Sequence, residues 1–166
     1  VMMNRLICVS AISAVACIML LVACGENEET RAAKDLETRI AQLDKSPIVE
    51  LDVRQAVLEF RSREFSAREA YEREKKGVRV NWNVRIRGIE RYDEGVRGAT
   101  VEYVLVSSTP VNALENTFVD ILMPANEASA FQEGQVATVT GIIKYITLGG
   151  DGHVVLFPAK ASASRQ

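Results

Sequence analysis

The sequence predicts a mainly β fold of the α+β class, in which two short helices precede a five-stranded barrel of order β-β-β-α-β-β. Two observations predict it. Apolar residues recur at helical spacing up to about residue 76, and then alternate with polar residues at a spacing of two. Turns that contain glycine divide the rest of the chain into segments of strand length.

A processing signal precedes this domain. Asn4 and Arg5 form a positively charged start, and residues 6–22 are an almost wholly apolar run without charge. This layout is typical of a secretory signal peptide. An uncleaved membrane anchor is the alternative, because a spanning helix needs about 20 apolar residues.

The stretch Leu21-Val22-Ala23-Cys24 resembles the lipobox of bacterial lipoproteins. The resemblance implies that lipid is attached to Cys24 and that residues 1–23 are removed as a signal peptide. Gly25 follows the cysteine, which in a host with two membranes implies the periplasmic face of the outer membrane. Acyl chains that each contribute about 0.8 kcal/mol per buried CH₂ would make the attachment durable.

The cysteine and histidine content excludes several kinds of chemistry. All three cysteines lie at or before Cys24, so residues 25–166 can form no disulfide, thiolate metal site or cysteine nucleophile. His153 is the single histidine, which excludes a zinc site built on two or more imidazoles. We therefore expect neither a metal nor another cofactor.

Residues 24–45 are dense in charge and are interpreted as a tether. Leu36, Ile40 and Leu43 form a weak helical stripe with few apolar neighbours. A coiled coil would need three or more heptads, so a solvated tether, helical or flexible, is the preferred interpretation. Ser46-Pro47 then marks the start of a domain at residues 46–166.

Two helical pieces are predicted between residues 47 and 76. Val53, Ala56, Val57 and Phe60 form one apolar face. The pieces are separated near residues 63–65, and Gly77 ends the second one.

The first strand has the clearest pattern in the chain, because polar and apolar residues alternate strictly from 78 to 87. The predicted inward residues are Val78, Val80, Trp82, Val84 and Ile86. Gly88 interrupts the alternation and predicts a bulge or bend. A buried Trp82 is expected to belong to the barrel core.

Four further strands follow. They are predicted at residues 99–106, 118–123, 136–148 and 153–157, with a short helical turn at 124–132 and a hairpin turn at 149–152. Five strands of this order suit an OB-fold, a small barrel that removes most free sheet edges.

The chain also resembles OB-fold families of the tRNA-anticodon-binding-like type, which include short bacterial lipoproteins and exported proteins. The similarity is carried by the GQVATVTGII stretch at residues 134–143 and by a small helix ending in Tyr71, then Gly77 and the first strand. Val84 stands where that pattern has glycine, so the bend is expected at Gly88 instead. An exported domain does not meet tRNA, and no nucleic acid is expected as a partner.

The polar face of the first strand is the candidate binding face. Its residues are Arg79, Asn81, Asn83, Arg85 and Arg87. OB-folds commonly bind oligonucleotides or oligosaccharides on an outer sheet face. Nucleic-acid binding would also need aromatic platforms, whereas Trp82 and Tyr103 have the parity of core residues. The face is either a solvated surface or a surface for an anionic ligand or partner.

Charge along the chain is uneven. Without Arg5, 19 basic and 22 acidic side chains give a net charge of −3, which is too mild to indicate a polyanion partner by itself. Residues 54–97 contain 12 basic and 8 acidic side chains, and residues 98–166 contain 3 and 6. This polarity favours an oriented contact with an envelope polymer or protein.

The remaining candidates indicate no catalytic residue. His153 beside a glycine turn is expected at the surface. The sequence places no second carboxylate beside Asp120 of the third strand, so it does not indicate catalysis by paired carboxylates. The glycine-rich turn at 149–152 lacks the following helix start and lysine of a phosphate-binding loop.

Three functions from different classes remain. The first is a non-enzymatic binding module in the cell envelope, tethered to the membrane through its N-terminal lipid. The second is a structural or assembly partner of another envelope protein. The third is a hydrolase or nuclease, which would require acids and an arginine that converge in one pocket.

Overall fold

The structure is a computed structural model that describes residues 27–112, 116–149 and 151–164. The predicted signal peptide and lipobox lie outside these ranges. Within them, no helix is both long and apolar enough to cross a membrane.

Four helices and five strands form the described part of the chain. In chain order they are α1 (Glu28–Lys45), α2 (Val53–Ser62), α3 (Phe65–Lys75), β1 (Arg79–Arg91), β2 (Tyr103–Pro110), β3 (Thr117–Pro124), α4 (Ala125–Ala128), β4 (Val136–Gly149) and β5 (Asp151–Ala163). The order of strands and helices confirms the predicted fold class.

The strands close into a barrel in the order β1-β2-β3-β5-β4. β3 and β5 run parallel, and the other neighbouring strands run antiparallel. β1 pairs with β4 through its first half and with β2 through its second half, and its register shifts between Ile86 and Gly88. The bend predicted at Gly88 is thus a bulge, which lets one long strand curve between two neighbours. A closed five-stranded barrel of this order is consistent with an OB-fold.

The barrel interior contains the inward side chains of β1, as the alternation predicted. Trp82 is 7% exposed, and its Nε1 donates a hydrogen bond to the Leu51 carbonyl oxygen at 2.6 Å. Val57, Phe60 and Tyr71 of the helices α2 and α3 join the same apolar cluster. The expected place of Trp82 in the core is confirmed.

α1 departs from the expectation of a solvated tether at residues 24–45. It packs on the outside of the barrel, where Leu36 forms a second apolar cluster with Tyr103, Leu122 and Phe157. Leu43 on the same helix is 1% exposed. The two leucines of the predicted stripe are therefore buried, because the barrel has outward apolar side chains of its own to cover, whereas Ile40 stays exposed.

This packing also corrects the predicted position of Tyr103. The side chain is buried as expected, yet it lies under α1 on the outer surface rather than among the barrel interior residues. Sequence parity distinguishes the two faces of a strand. It does not show which face is covered by another element.

Several strand boundaries also differ from the prediction, and both β1 and β2 end later than expected, at Arg91 and Pro110 rather than at residues 87 and 106. β2 begins at Tyr103 rather than at residue 99, because Val96 and Ala99 in the preceding loop pack against the cluster beneath α1. β5 continues beyond residue 157 to Ala163, since its second half pairs with the start of β4. Apolar residues in the loop before β2 pack beneath α1, whereas residues 158–163 of β5 pair with β4 to close the barrel. A local sequence pattern does not distinguish these two uses.

The burial of Trp82 leads to a stability prediction. Trp82→Ala should lower the free energy of unfolding by about 3–5 kcal/mol, because it removes a large core side chain. Trp82→Phe should cost less, since it keeps a buried ring and loses the hydrogen bond to Leu51, worth about 0.5–1.5 kcal/mol.

Urea unfolding followed by circular dichroism measures both changes. Val101→Ala in the β1–β2 loop is the control, because Val101 is exposed and its truncation should stay within about 0.5 kcal/mol. An equal effect of Trp82→Ala and Val101→Ala would contradict the assignment of Trp82 to the core.

Candidate functional site

The structure places all five sequence candidates of β1 on the outer face of the barrel. The exposed residues are Asn81, Asn83, Arg85 and Arg87, and Arg79 is half-buried. Together with outward residues of β4 and of the second half of β5, they form what we call the polar face. The side chains that complete it are Thr138, Thr140, Lys160, Ser162 and Ser164.

The polar face is built from cross-strand rows. Asn81 lies opposite Thr140, and Asn83 lies opposite Thr138. The threonine hydroxyls donate to the asparagine Oδ1 atoms at 3.2 and 2.8 Å respectively. Neither asparagine NH₂ group donates to a described residue, so both remain available as donors to a ligand.

The arginines of the polar face differ in their partners. Arg79 donates from Nη1 to the Ser46 carbonyl oxygen at 2.6 Å, which ties the segment after α1 to the barrel. Arg85 donates from Nη1 to the Gly134 carbonyl oxygen at 3.0 Å, whereas Arg87 has no partner among the described residues.

The charge of these arginines is not neutralised within the described ranges, where no carboxylate forms an ion pair with Arg79, Arg85 or Arg87. Lys160 is different, because its Nζ lies 2.7 and 2.9 Å from the two carboxylate oxygens of Asp44. The hydrogen bond from Lys160 holds the pKa of the Asp44 carboxyl below its ordinary value. Arg79 is half-buried and its charge also acts on the Asp44 carboxylate, so the exposed positive charge of the polar face is concentrated at Arg85 and Arg87.

These groups have the chemistry of an anion-binding surface. A guanidinium offers planar paired donors that match carboxylate and phosphate oxygens. The described part of the polar face contains no aromatic side chain, so it has no stacking platform for bases. An anion could bind at Arg85 and Arg87 without displacing a carboxylate of the described residues.

α1 limits where a ligand can bind on the barrel. OB-folds commonly use the outer face near strands two and three. Here the upper part of that face is covered, because Tyr103 of β2 and Leu122 of β3 lie under Leu36. A cleft of about 480 Å³ remains beside α1, and its walls contain charges of both signs, such as Arg31 and Asp35. The polar face is consequently more open than the face beneath α1, and unlike the cleft its exposed charges are of one sign.

The structure also brings together two residues that the sequence treated separately. His153 Nδ1 lies 2.8 Å from Asp120 Oδ2, and the Asp120 side chain is 9% exposed. The imidazole ring stacks on Phe118, with ring centroids 4.9 Å apart. An ionised carboxylate only accepts hydrogen bonds, so Nδ1 is the donor in this contact, and in a neutral ring Nε2 is then the acceptor.

The sequence missed this pair because the two residues are 33 positions apart. Asp120 and His153 share a face only because β3 and β5 are parallel neighbours, in a register that sets Phe118 opposite His153. The OB-fold strand order, taken with the outward parity of both residues, could have suggested it. The register itself is not readable from either strand alone.

Within the described ranges, no third side chain completes a catalytic triad with this pair. No described hydroxyl bonds to His153 Nε2, so a serine–histidine–aspartate arrangement is not found in these ranges. The same ranges hold no group of three or more side chains placed to bind a metal ion. The imidazole is held in one orientation by Asp120 and Phe118.

Comparison of the chain with models of known protein families, with curated proteins and with solved structures finds no match. The geometry described above is therefore the basis for assigning a function.

The Asp120–His153 contact predicts the tautomer of the imidazole. At a pH where the ring is neutral, we expect the proton on Nδ1, because Asp120 accepts a hydrogen bond there. Asp120→Ala should shift the proton toward Nε2, and Asp120→Asn should retain the Nδ1–H form because its amide oxygen still accepts. Nitrogen chemical shifts of the single histidine distinguish the forms. An Nε2–H ring in the unaltered protein would contradict the contact.

Proposed function

We propose that this protein is a lipoprotein of the bacterial cell envelope, held to a membrane by lipid on Cys24, with its barrel on the exported side. In this proposal the barrel is a non-enzymatic binding module of the OB-fold type. Its polar face binds an anionic ligand, and an envelope polymer that bears carboxylate or phosphate groups is the class that fits best.

The observation that supports binding is the unneutralised charge of Arg85 and Arg87 on one outward strand face. An exposed ion pair contributes only about 0–1 kcal/mol, so a useful ligand must engage several groups at once. Outward residues of a strand recur about every 6.6 Å. An extended polymer that lies along β1 would meet Asn81, Asn83, Arg85 and Arg87 in succession.

The covering of β2 and β3 by α1 supports the same choice of surface. With part of the usual OB-fold ligand face occupied by the chain itself, the outward residues of β1 and β4 remain open. The rows of asparagine and threonine add uncharged donors beside the arginines. Such a mixture suits a hydroxyl-rich polymer that also has acidic groups.

A second function, docking onto another envelope protein, has one observation in its favour. Phe65 at the start of α3 is 78% exposed, and Leu58 on α2 is 48% exposed. Exposed apolar side chains of this size occur at protein interfaces. This alternative becomes the better account if the polar face binds no anion.

The lipid attachment is tested with two cysteine variants in a bacterial host. Cys24→Ser should leave the protein uncleaved or release it from the detergent phase, because the acylated thiol is lost. Cys17→Ser is the control and should leave processing unchanged, since residue 17 is removed with the signal. Detergent partition and intact mass measure the outcome, and unchanged mass and retention for Cys24→Ser would reject the lipoprotein.

The binding face is tested with residues 25–166, a chain without the lipid anchor that retains α1. At low salt we expect binding to an acidic polysaccharide and none to a neutral one. The double variant Arg85→Ala, Arg87→Ala should weaken binding by about 1–2 kcal/mol, or roughly 5–30-fold. Affinity should fall with salt, because the Debye length shrinks from about 10 Å at 0.1 M to about 3 Å at 1 M.

The matched control is Arg73→Ala, Arg91→Ala, which removes the same charge. Arg91 already pairs with Asp93, and Arg73 already donates to the Glu69 carbonyl oxygen. Equal losses in the two double variants would show an effect of net charge alone. That result, or an absence of binding at low salt, would contradict the proposed face.

A further inference from the structure

α1 is attached to the barrel at its N-terminal end by a close backbone contact. Gly98 in the β1–β2 loop has a φ of +82°, and a Cβ atom there would overlap the Ala32 backbone. The loop can approach α1 this closely only because residue 98 has no side chain. Arg97 beside it forms an ion pair with Glu28 in the first turn of α1.

The attachment continues along the helix. Leu36 lies in the cluster with Leu122 and Phe157, and Leu43 is buried about two turns further on. Asp44 near the C-terminal end pairs with Lys160 of β5. The 18 residues of α1 contain neither glycine nor proline, so no internal break is expected. α1 is therefore one continuous helix that contacts the barrel from its first turn to its last, and we call this docked helix the strut.

The distance from the proposed lipid site to this strut is short. Three residues separate Cys24 from Glu28, and a chain spans at most about 3.6 Å per residue, so the two α-carbons lie within about 15 Å of each other. Asp44 lies about 24 Å further along the helix axis, at a rise of about 1.5 Å per residue. The N-terminal end of α1 must therefore lie close to the lipid on Cys24, whereas its C-terminal end can lie much further away.

We infer that the β1–β2 loop, residues 92–102, together with the first turns of α1, is the surface that faces the lipid bilayer. The inference rests on the proposed lipidation of Cys24. Because Lys160 shares a row with Thr140 and Asn81, the Asp44–Lys160 pair places that row of the polar face at the far end of the strut. α1 then holds the row of Asn81, Thr140 and Lys160 away from the membrane surface, while Arg85 and Arg87 lie further along β1 toward the β1–β2 loop.

In this inference the short distance from Cys24 to α1 and the packing of α1 on the barrel determine the orientation, and charge does not. The loop and the start of α1 contain acids and bases side by side, such as Glu28 and Arg31, or Asp93 and Arg97. Such a mixture gives little attraction to anionic headgroups. The orientation should therefore persist at about 1 M salt, where exposed charges are screened within about 3 Å, and in vesicles of uncharged phosphatidylcholine.

The experiment uses the full lipidated chain in phosphatidylcholine vesicles that contain a headgroup-attached quencher. A fluorophore is placed on Thr100→Cys in the loop or on Lys45→Cys at the end of α1, both exposed positions. The mature chain has no other free thiol, because its remaining cysteine is acylated. We expect quenching to be several-fold stronger at residue 100 than at residue 45, with and without salt.

A pair of glycine variants tests whether the docked helix is responsible. Gly98→Ala should abolish the difference between the two probes, because the added Cβ meets the Ala32 backbone. Gly95→Ala is the control, since Gly95 also has a positive φ, of +65°, in the same loop but no atom within 4 Å of the added Cβ. Emission from Trp82 reports in each case whether the barrel is still folded.

The outcomes separate the two proposals. Equal quenching at both probes of a lipidated chain, stronger quenching at residue 45, or an unchanged difference in folded Gly98→Ala would overturn this inference alone. A chain without acyl mass on Cys24 would overturn the proposed lipoprotein and this inference together.

Discussion

Closure of the barrel through β1 is the constraint on which the other features depend. β1 is the strand that pairs with both β2 and β4, and it can do so because the bulge at Gly88 lets it turn from one neighbour to the other. A closed sheet has one inside and one outside, so alternation along β1 assigns each residue before the bulge to a face. Trp82 is buried and the arginines are exposed for the same reason.

The outside of the barrel is then divided between two uses. α1 covers outward apolar residues of β2, β3 and β5 and makes that side part of the fold. The other side, on β1 and β4, is polar and open, and its arginines lack carboxylate partners within the described ranges. Burial supplies most of the stability of a small domain, whereas exposed charge contributes little. The division therefore separates residues that stabilise the protein from residues available for binding.

The same helix links the fold to the proposed place of the protein. If residues 24–45 formed the solvated tether that the sequence predicts, the domain could turn any face toward the membrane. A helix fixed to the barrel close to the proposed lipid site would instead relate the direction of the membrane to the direction of the polar face. The proposed binding and the proposed orientation would then both be consequences of one packing arrangement.

The sequence by itself determined the period of each segment, the inward place of Trp82, the outward place of the arginines and the bend at Gly88. These are local properties, set by residues two to four positions apart. The tertiary structure alone decided that Leu36 and Leu43 are buried, that Tyr103 lies outside the barrel, and that His153 meets Asp120. Those contacts join elements that are far apart in the chain, such as Leu36 of α1 with Phe157 of β5, or Asp120 with His153, 33 positions later. A pattern shows that a side chain needs burial or a partner, but only the register and packing of distant elements supply that partner.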